Sequence, residues 1–345
     1  MNIQCPLPTI HRETIRLGHG SGGEMTQQLL STYIQPLFNN AWIDQAHDSA
    51  TLPWGADRLV FTTDSFVITP LFFPGGDIGK LAIYGTVNDL AMGAAEAKFL
   101  SCSLILEEGL PLETLKKVLQ SMAVAAEETG VKLVTGDTKV VERGKGDGIY
   151  INTSGVGILM DGQPIAPSRI RSGDQILLSG DIGRHGIAVM ASREGLDFES
   201  ALNSDCAPLN SAVSALIRGG VTLHCLRDLT RGGLATALVE LAETSGRAIE
   251  VEESQIPVGE SVQGACEMLG LDPLYVANEG RFVAFVPEES VDLASSILRE
   301  TQVGSSCAKI GRVTDKTDAQ VTLRNNLGCD RLLQRLPGEQ LPRIC

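Results

Sequence analysis

The feature that most constrains the fold is an alternation, along both halves of the chain, of short apolar runs with segments of helical period. "RLVFTTD" (58–64), "AKFLSCSLILEE" (97–108), "VKLVTGD" (131–137) and "GIYINTSGVGILM" (148–160) read as strands. Between them, "IGKLAIYGTVNDLAMGAA" (78–95) carries apolar residues at helical spacing. "PLETLKKVLQSMAVAAEETG" (111–130) is the clearest helix, with proline near its start and glycine at its end. An α/β first half is the expectation.

At 345 residues the chain is long enough for about two domains. A turn-rich link, "DGQPIAPSRIRSGD" (161–174), marks the boundary. The expected division is 1–165, an N-terminal domain, then 166–330, a C-terminal domain, then a tail, 331–345. The second half begins "QILLSG" and continues with a helix near 183–194, a strand "VTLHCLRD" (221–228) and a helix "GGLATALVELAETSG" (232–246). Strands around "LYVANEGRFVAFVP" (274–287) and a helix near 289–300 complete an α+β pattern. The final stretch, "LPGEQLPRIC", has two prolines and no apolar period, which predicts an extended, mobile tail.

Charge narrows the function. The formal net charge is −14, so the surface repels nucleic acid and anionic membranes at long range. Aromatics are only 4% of the chain, which argues against base-stacking surfaces. No segment approaches the roughly 18 continuous apolar residues of a membrane span, and "MNIQCPLPTI" lacks the pattern of a signal peptide. The eight cysteines show no CxxC pair or regular framework, the usage of a reducing cytoplasm. Cys102 reads as a buried small hydrophobe. Cys345, the last residue, stands in the wrong place for prenylation, which needs a cysteine four places from the end.

Three glycine loops invite a phosphate reading. "GHGSGG" (18–23) fits G-x-G-x-x-G but follows only "TIRL", so it lacks the strand of a dinucleotide fingerprint. A glycine-rich turn entering a helix remains open there, as does a plain flexible loop. "PGGDIGKL" (74–81) fails as a P-loop, with Pro74 at the first glycine position and Leu81 where Ser or Thr is required. In "RDLTRGG" (227–233), Gly232 and Gly233 could offer amides to an anion with Arg231 adding charge. An ordinary turn capped by Asp228 or Thr230 is the alternative.

Aspartates recur where strands end. Asp64 closes "VFTTD" and Asp137 closes "KLVTGD", followed by Thr138 and Lys139. Asp89 sits in an otherwise apolar helix, and Asp48 in the loop "AHDSA". Aspartate in apolar surroundings is costly unless a cation or hydrogen bonds stabilise it. If Asp48, Asp64, Asp89 and Asp137 converge, they suit Mg²⁺, which takes oxygen ligands and bridges them to nucleotide phosphates. Each alone is equally a turn former or cap.

Taken together, "GHGSGG", "TTDSFVITPLFFPGGDIGKLAIYGTVNDLA", "LVTGDTKVV", "RDLTRGG", "ANEG" and "LPRIC" resemble the hydrogenase maturation factor HypE family over residues 15–345. The aspartate motifs also look like the wider superfamily of aminoimidazole ribonucleotide synthetase, selenophosphate synthetase and thiamine monophosphate kinase. The resemblance implies an α/β N-terminal domain whose sheet pairs across a homodimer, an α+β C-terminal domain, and ATP between them. It makes Asp48, Asp64, Asp89 and Asp137 candidate Mg²⁺–ATP ligands, with Gly136, Thr138 and Asp228 as further nucleotide contacts. Lys139 and Glu279 become candidate catalytic groups, and Cys345 the residue that carries the substrate. "HDSA" (47–50) departs from relatives that double the acidic residue. Asp48 remains the candidate there.

HypE-like proteins are carbamoyl dehydratases. The resemblance implies that a carbamoyltransferase like HypF loads Cys345, that ATP-dependent dehydration yields a thiocyanate, and that a HypC–HypD complex accepts the cyanide for a [NiFe] hydrogenase. Ten extended residues span roughly 30 Å, enough for an arm that moves a thiol between sites. Two rivals differ in outcome: a small-molecule kinase of the superfamily, indifferent to Cys345→Ala, and a scaffold indifferent to Asp137→Asn and Lys139→Ala.

Overall fold

The structure, a computed structural model, describes residues 23–34, 47–54, 57–160, 165–195, 202–336, 341 and 343–345. Gly18 and Gly20 of the first glycine loop, Pro337 and Pro342 lie outside the described residues. Gly23 precedes a short helix, α1 (Glu24–Leu29), and offers it no side-chain cap.

The first half builds one five-stranded sheet from β1 (Ala50–Trp54), β2 (Asp57–Phe66), β5 (Ala95–Glu107), β6 (Lys132–Val141) and β7 (Ile149–Leu159), in the order β1-β2-β7-β5-β6. Only β5 and β6 run parallel. The link between them is α3 (Leu112–Thr129), as a parallel crossover requires. A two-stranded ribbon, β3 (Phe72–Phe73) and β4 (Gly76–Asp77), leads into α2 (Ile78–Met92).

The failed P-loop has a structural task instead. Asp77 caps α2, its carboxylate accepting from the amides of Gly79 at 2.7 Å and Lys80 at 3.1 Å. Ser121 of α3 donates to the other carboxylate oxygen at 2.6 Å and ties the two helices together. α2 is buried on nearly every face, which explains its lack of amphipathic contrast. Leu81 and Leu90 are fully buried in its packing against the sheet. Truncating Leu81 to Ala would cost about 2–5 kcal/mol.

The second half forms a seven-stranded sheet in the order β14-β13-β10-β12-β8-β11-β9. Its strands are β8 (Gln175–Leu178), β9 (Cys225–Asp228), β10 (Ile249–Glu252), β11 (Phe282–Val286), β12 (Ala308–Val313), β13 (Val321–Arg324) and β14 (Asp330–Leu333). Helices α4 (Arg184–Glu194), α5 (Asn210–Arg218), α6 (Gly233–Ser245), α7 (Glu260–Leu269) and α8 (Val291–Arg299) surround it. β11 is buried on both faces: Val283 and Phe285 pack toward α6, and Phe282 and Ala284 toward α5 and α8.

Three readings need correction. The strand expected at 221–228 begins only at Cys225, and that expected across 274–287 only at Phe282. Before Phe282 the backbone leaves the sheet because Asn278 takes over its bonding. Its amide nitrogen donates to the carbonyls of Leu229 and Val276, both at 3.1 Å, and its oxygen accepts from the Gly183 amide at 2.7 Å. Third, neither Asp228 nor Thr230 caps α6. Gly232, at φ +78°, precedes it without a side-chain cap, and Asp228 faces the site described next. At the other end, β14 carries the sheet to Leu333, into the segment expected to be tail.

Candidate active site

A cavity of about 220 Å³ opens between the two halves. From the first half, β2 contributes Asp64 and Phe66, α2 contributes Gly85 and Asp89, and the loop before β1 contributes Asp48. The second half brings Arg227 and Asp228 from β9, Arg231 from the following turn, Glu240 from α6 and Glu279. Cys345 lies in the same cavity. Gly85 makes room for this wall, since a Cβ there would stand 2.9 Å from the Phe66 ring and 3.6 Å from Asp64.

These carboxylates share an unfavourable environment. Burial pushes the Asp48 carboxyl up, opposed by Arg227. Asp64 is raised by burial and then by Asp48, with Arg231 opposing. Asp89 and Asp228 stand well above the usual carboxylate range, from burial first and then from the neighbouring aspartates. Glu279 is also well above its ordinary value, through burial and then Asp228 and Asp205. Internal support is sparse. Thr62 donates to Asp89 at 2.7 Å, and Arg227 bridges Asp48 at 3.1 Å and Glu240 at 3.2 Å. Among the described residues, Asp48 Oδ2 and Glu279 Oε1 are buried without a hydrogen-bond partner. Buried carboxylates left in this way fit a cation and the phosphates that it carries.

No three His, Cys, Asp or Glu side chains among the described residues converge closely enough to hold a metal by themselves. A Mg²⁺ ion here would take further oxygen ligands from phosphate and water, as this ion commonly does. The expected four-aspartate set is only partly assembled. Asp48, Asp64 and Asp89 meet, Asp228 and Glu279 join them, and Asp137 does not.

Gly136, Asp137, Thr138 and Lys139 lie on β6, an exposed edge strand. There Lys139 pairs with Asp137 at 2.6 Å, and the resulting hydrogen bond holds the Asp137 carboxyl below its usual range. Gly136, Asp137 and Thr138 border a separate hollow beneath α3. Within one chain these residues and the cleft do not meet.

The tail is docked. The Val67 amide donates to the Cys345 carbonyl at 3.1 Å, and the Thr69 amide to the Arg343 carbonyl at 3.4 Å. Ile344 is buried in the first domain's core. Arg343 pairs with Asp147 and bonds Thr69. Its φ of +54° is left-handed, a conformation that costs an L-residue roughly 1–2 kcal/mol. Burial pushes the Cys345 thiol up to about 12, with Arg231 opposing.

Arg227 and Glu240 were not singled out from sequence. The available signal was charge inside apolar runs, "HCLRDL" and "LATALVELA", where an ion needs a partner. His47, beside Asp48, is lowered to about 3 by burial and then by Arg227, so it is neutral and adds no charge to the cleft.

Comparison with known proteins fits this geometry. Residues 46–159 match the family of AIR synthase related proteins through its N-terminal domain, and residues 171–324 through its C-terminal domain. Carbamoyl dehydratase HypE of Azotobacter vinelandii is 47% identical over 332 residues, covering 96% of this chain and 97% of that protein. HypE of Escherichia coli is 44% identical over 336 residues, covering 96% and 99%. The chain belongs to the HypE family. A HypE crystal structure with ATP superposes with TM-score 0.81 at 45% identity, covering 96% of this chain and all of that one. The HypE–HypF complex gives TM-score 0.85 at 44% identity, covering 89% and 99%. A ThiL structure with AMPPCP and TMP, at 19% identity and TM-score 0.69, shares the fold. The family resemblance and two-domain fold expected from the motifs are borne out. Among the described residues no helix is long and apolar enough to cross a membrane.

Proposed function

We propose that this HypE family member is an ATP-dependent carbamoyl dehydratase that works on its own Cys345 during hydrogenase maturation. The substrate form is Cys345–S–C(=O)–NH₂ and the product Cys345–S–C≡N. Two N–H protons leave the nitrogen, and the oxygen departs within phosphate. The observation that carries this reading is the presence of Cys345 in one cavity with Asp48, Asp64, Asp89, Asp228 and Glu279. Its support comes from HypE relatives, one of them solved with ATP.

Mg²⁺–ATP, when bound, supplies the phosphoryl group that makes the amide oxygen a good leaving group. The cavity, at about 220 Å³, is smaller than a typical site for a drug-sized ligand, about 300–1,000 Å³. It suits the phosphate end of a nucleotide together with the carrier thiol. Asp64, Asp89 and Asp228 would share the cation with the nucleotide phosphates, and the Arg227 bridge to Asp48 and Glu240 fixes the cleft wall. Arg231 faces Cys345 and attracts negative charge developing on the cargo. Glu279, raised by burial, is a strong enough base to accept an N–H proton.

A docked thiol at about 12 is almost wholly protonated and a poor nucleophile. Loading therefore takes place away from the cleft, on a partner such as the HypF seen with a relative. The nitrile then passes outward to an acceptor resembling HypC–HypD. The sheet face opposite α2 exposes Phe61, Phe99, Ile105 and Ile158, beside the exposed edge of β6. Large apolar side chains exposed on one sheet face fit a second copy of the chain. In such a homodimer Asp137 and Lys139 serve the cleft of the other copy.

The deciding experiment is mass spectrometry of the C-terminal peptide after carbamoylation, with and without Mg²⁺–ATP. The expected result is loss of one water only with nucleotide. An unchanged peptide overturns the reading. Nucleotide turnover on a soluble substrate by Cys345→Ala would favour a small-molecule kinase.

A further inference from the structure

His185, the second residue of α4, is fully buried, a position with no evident task in the carboxylate cleft. Its ring makes two hydrogen bonds, one to Ser204 Oγ through Nδ1 at 2.8 Å and one to the Ile344 carbonyl through Nε2 at 2.7 Å. A carbonyl only accepts, so Nε2 carries the proton. Nδ1 is then a lone pair and accepts from the Ser204 hydroxyl. That hydroxyl oxygen in turn accepts from the Cys206 amide at 3.0 Å. Each bond in the chain has a definite direction, and the tautomer follows. Burial lowers the basicity of the ring, consistent with a neutral imidazole.

The support behind His185 is rigid. The Ser204 amide donates to the Pro74 carbonyl at 2.8 Å. Gly75, at φ +90°, permits this contact, since a Cβ there would stand 2.7 Å from Ser204 N. The Phe73 ring meets the imidazole edge-on, 5.4 Å between centroids. The "PGG" turn thus braces a donor aimed at the tail.

Arg193, two turns further along α4, acts in parallel. Its Nη2 donates to the Arg343 carbonyl and to the Thr69 carbonyl, both at 2.8 Å. With the Val67 and Thr69 amides, the consecutive carbonyls of Arg343, Ile344 and Cys345 all receive donors.

We propose that His185 is a positioning residue: its Nε2–H, oriented by Ser204, holds the Ile344 carbonyl and so fixes the Cys345 sulfur in the carboxylate cleft. The role deepens the dehydratase reading and rests on it for its catalytic meaning, but docking itself is measurable without cargo or nucleotide. His185 touches no reacting atom. It acts through the backbone beside Cys345.

The test is the rate of Cys345 alkylation by iodoacetamide in the uncharged full-length protein, followed by mass spectrometry of the peptides. Exposed Cys329 is the internal reference, and buried Cys225 reports unfolding. His185→Ala should label Cys345 roughly tenfold faster, the factor expected for loss of one buried hydrogen bond. His185→Gln places an amide N–H near the Nε2 position and should restore the slow rate. Equal labelling of wild type and H185A, or an H185Q rate matching H185A, overturns the proposal. If H185A also exposes Cys225, Ser204→Ala decides: faster Cys345 labelling with Cys225 protected supports the relay, and no change overturns it. With carbamoylated protein, H185A should slow ATP-dependent water loss and H185Q should rescue it. Labelling that behaves as expected, with no water loss in wild type, would sink the dehydratase reading and leave the docking role standing.

Discussion

The cleft and the β6 edge carry the same residue type in opposite electrostatic states. In the cleft, burial raises Asp48, and burial with repulsion from neighbouring carboxylates raises Asp64, Asp89, Asp228 and Glu279. On β6, Lys139 already neutralises Asp137 in open solvent and lowers it. The difference teaches where binding energy is stored. A cation entering the cleft relieves repulsion, whereas one approaching Asp137 in a single chain must displace a lysine.

The sharpest test of that contrast is Glu279→Gln, which removes the proposed base while keeping its shape. Water loss from carbamoylated Cys345 should fall roughly 10²–10⁴-fold, with nucleotide binding retained by calorimetry. A smaller loss would move proton transfer to another group. Asp89→Asn should weaken Mg²⁺–ATP binding roughly tenfold or more by calorimetry. The same substitution should raise the stability of the ligand-free protein by about 1 kcal/mol, because a buried repulsion disappears. Weakened binding with lowered stability would mean that Asp89 is structural.

A pH series extends the comparison. The cleft carboxylates have folded values above their ordinary ones, so the folded state binds more protons than the unfolded state. Stability of the ligand-free chain therefore falls as pH rises from about 4 upward through the raised values. Denaturant melts at stepped pH should show that slope, and Asp89→Asn should flatten it. A slope of the opposite sign would break the picture of a strained cleft. The smallest effect on the single chain belongs to Asp137→Asn, which should leave thermal unfolding unchanged. In the homodimer it should stop water loss. Unchanged water loss would place β6 outside the machinery.

Much of the architecture was legible because local chemistry and tertiary demand agree. Asp77 and Gly130 mark the start of α2 and the end of α3, and both elements lie where periodicity puts them. Sequence reading failed where function or burial overrides the local pattern. "YVANEG" has strand-like composition, yet Asn278 bonds the backbone away from the sheet and brings Glu279 to the cleft. Asp48, Asp64 and Asp89 were visible one by one, but only the packing of α2 on β2 brings them together. His185 was invisible, because a lone histidine at a helix start carries no sign of what its far nitrogen will meet.

The docked cysteine has one more consequence. Peroxide and related oxidants attack the thiolate, not the thiol. A sulfur held at about 12 inside the cleft is therefore almost inert toward them. If Cys345 carries the cargo as proposed, docking is also safe storage for the sulfur, and only an outward excursion puts that atom at risk.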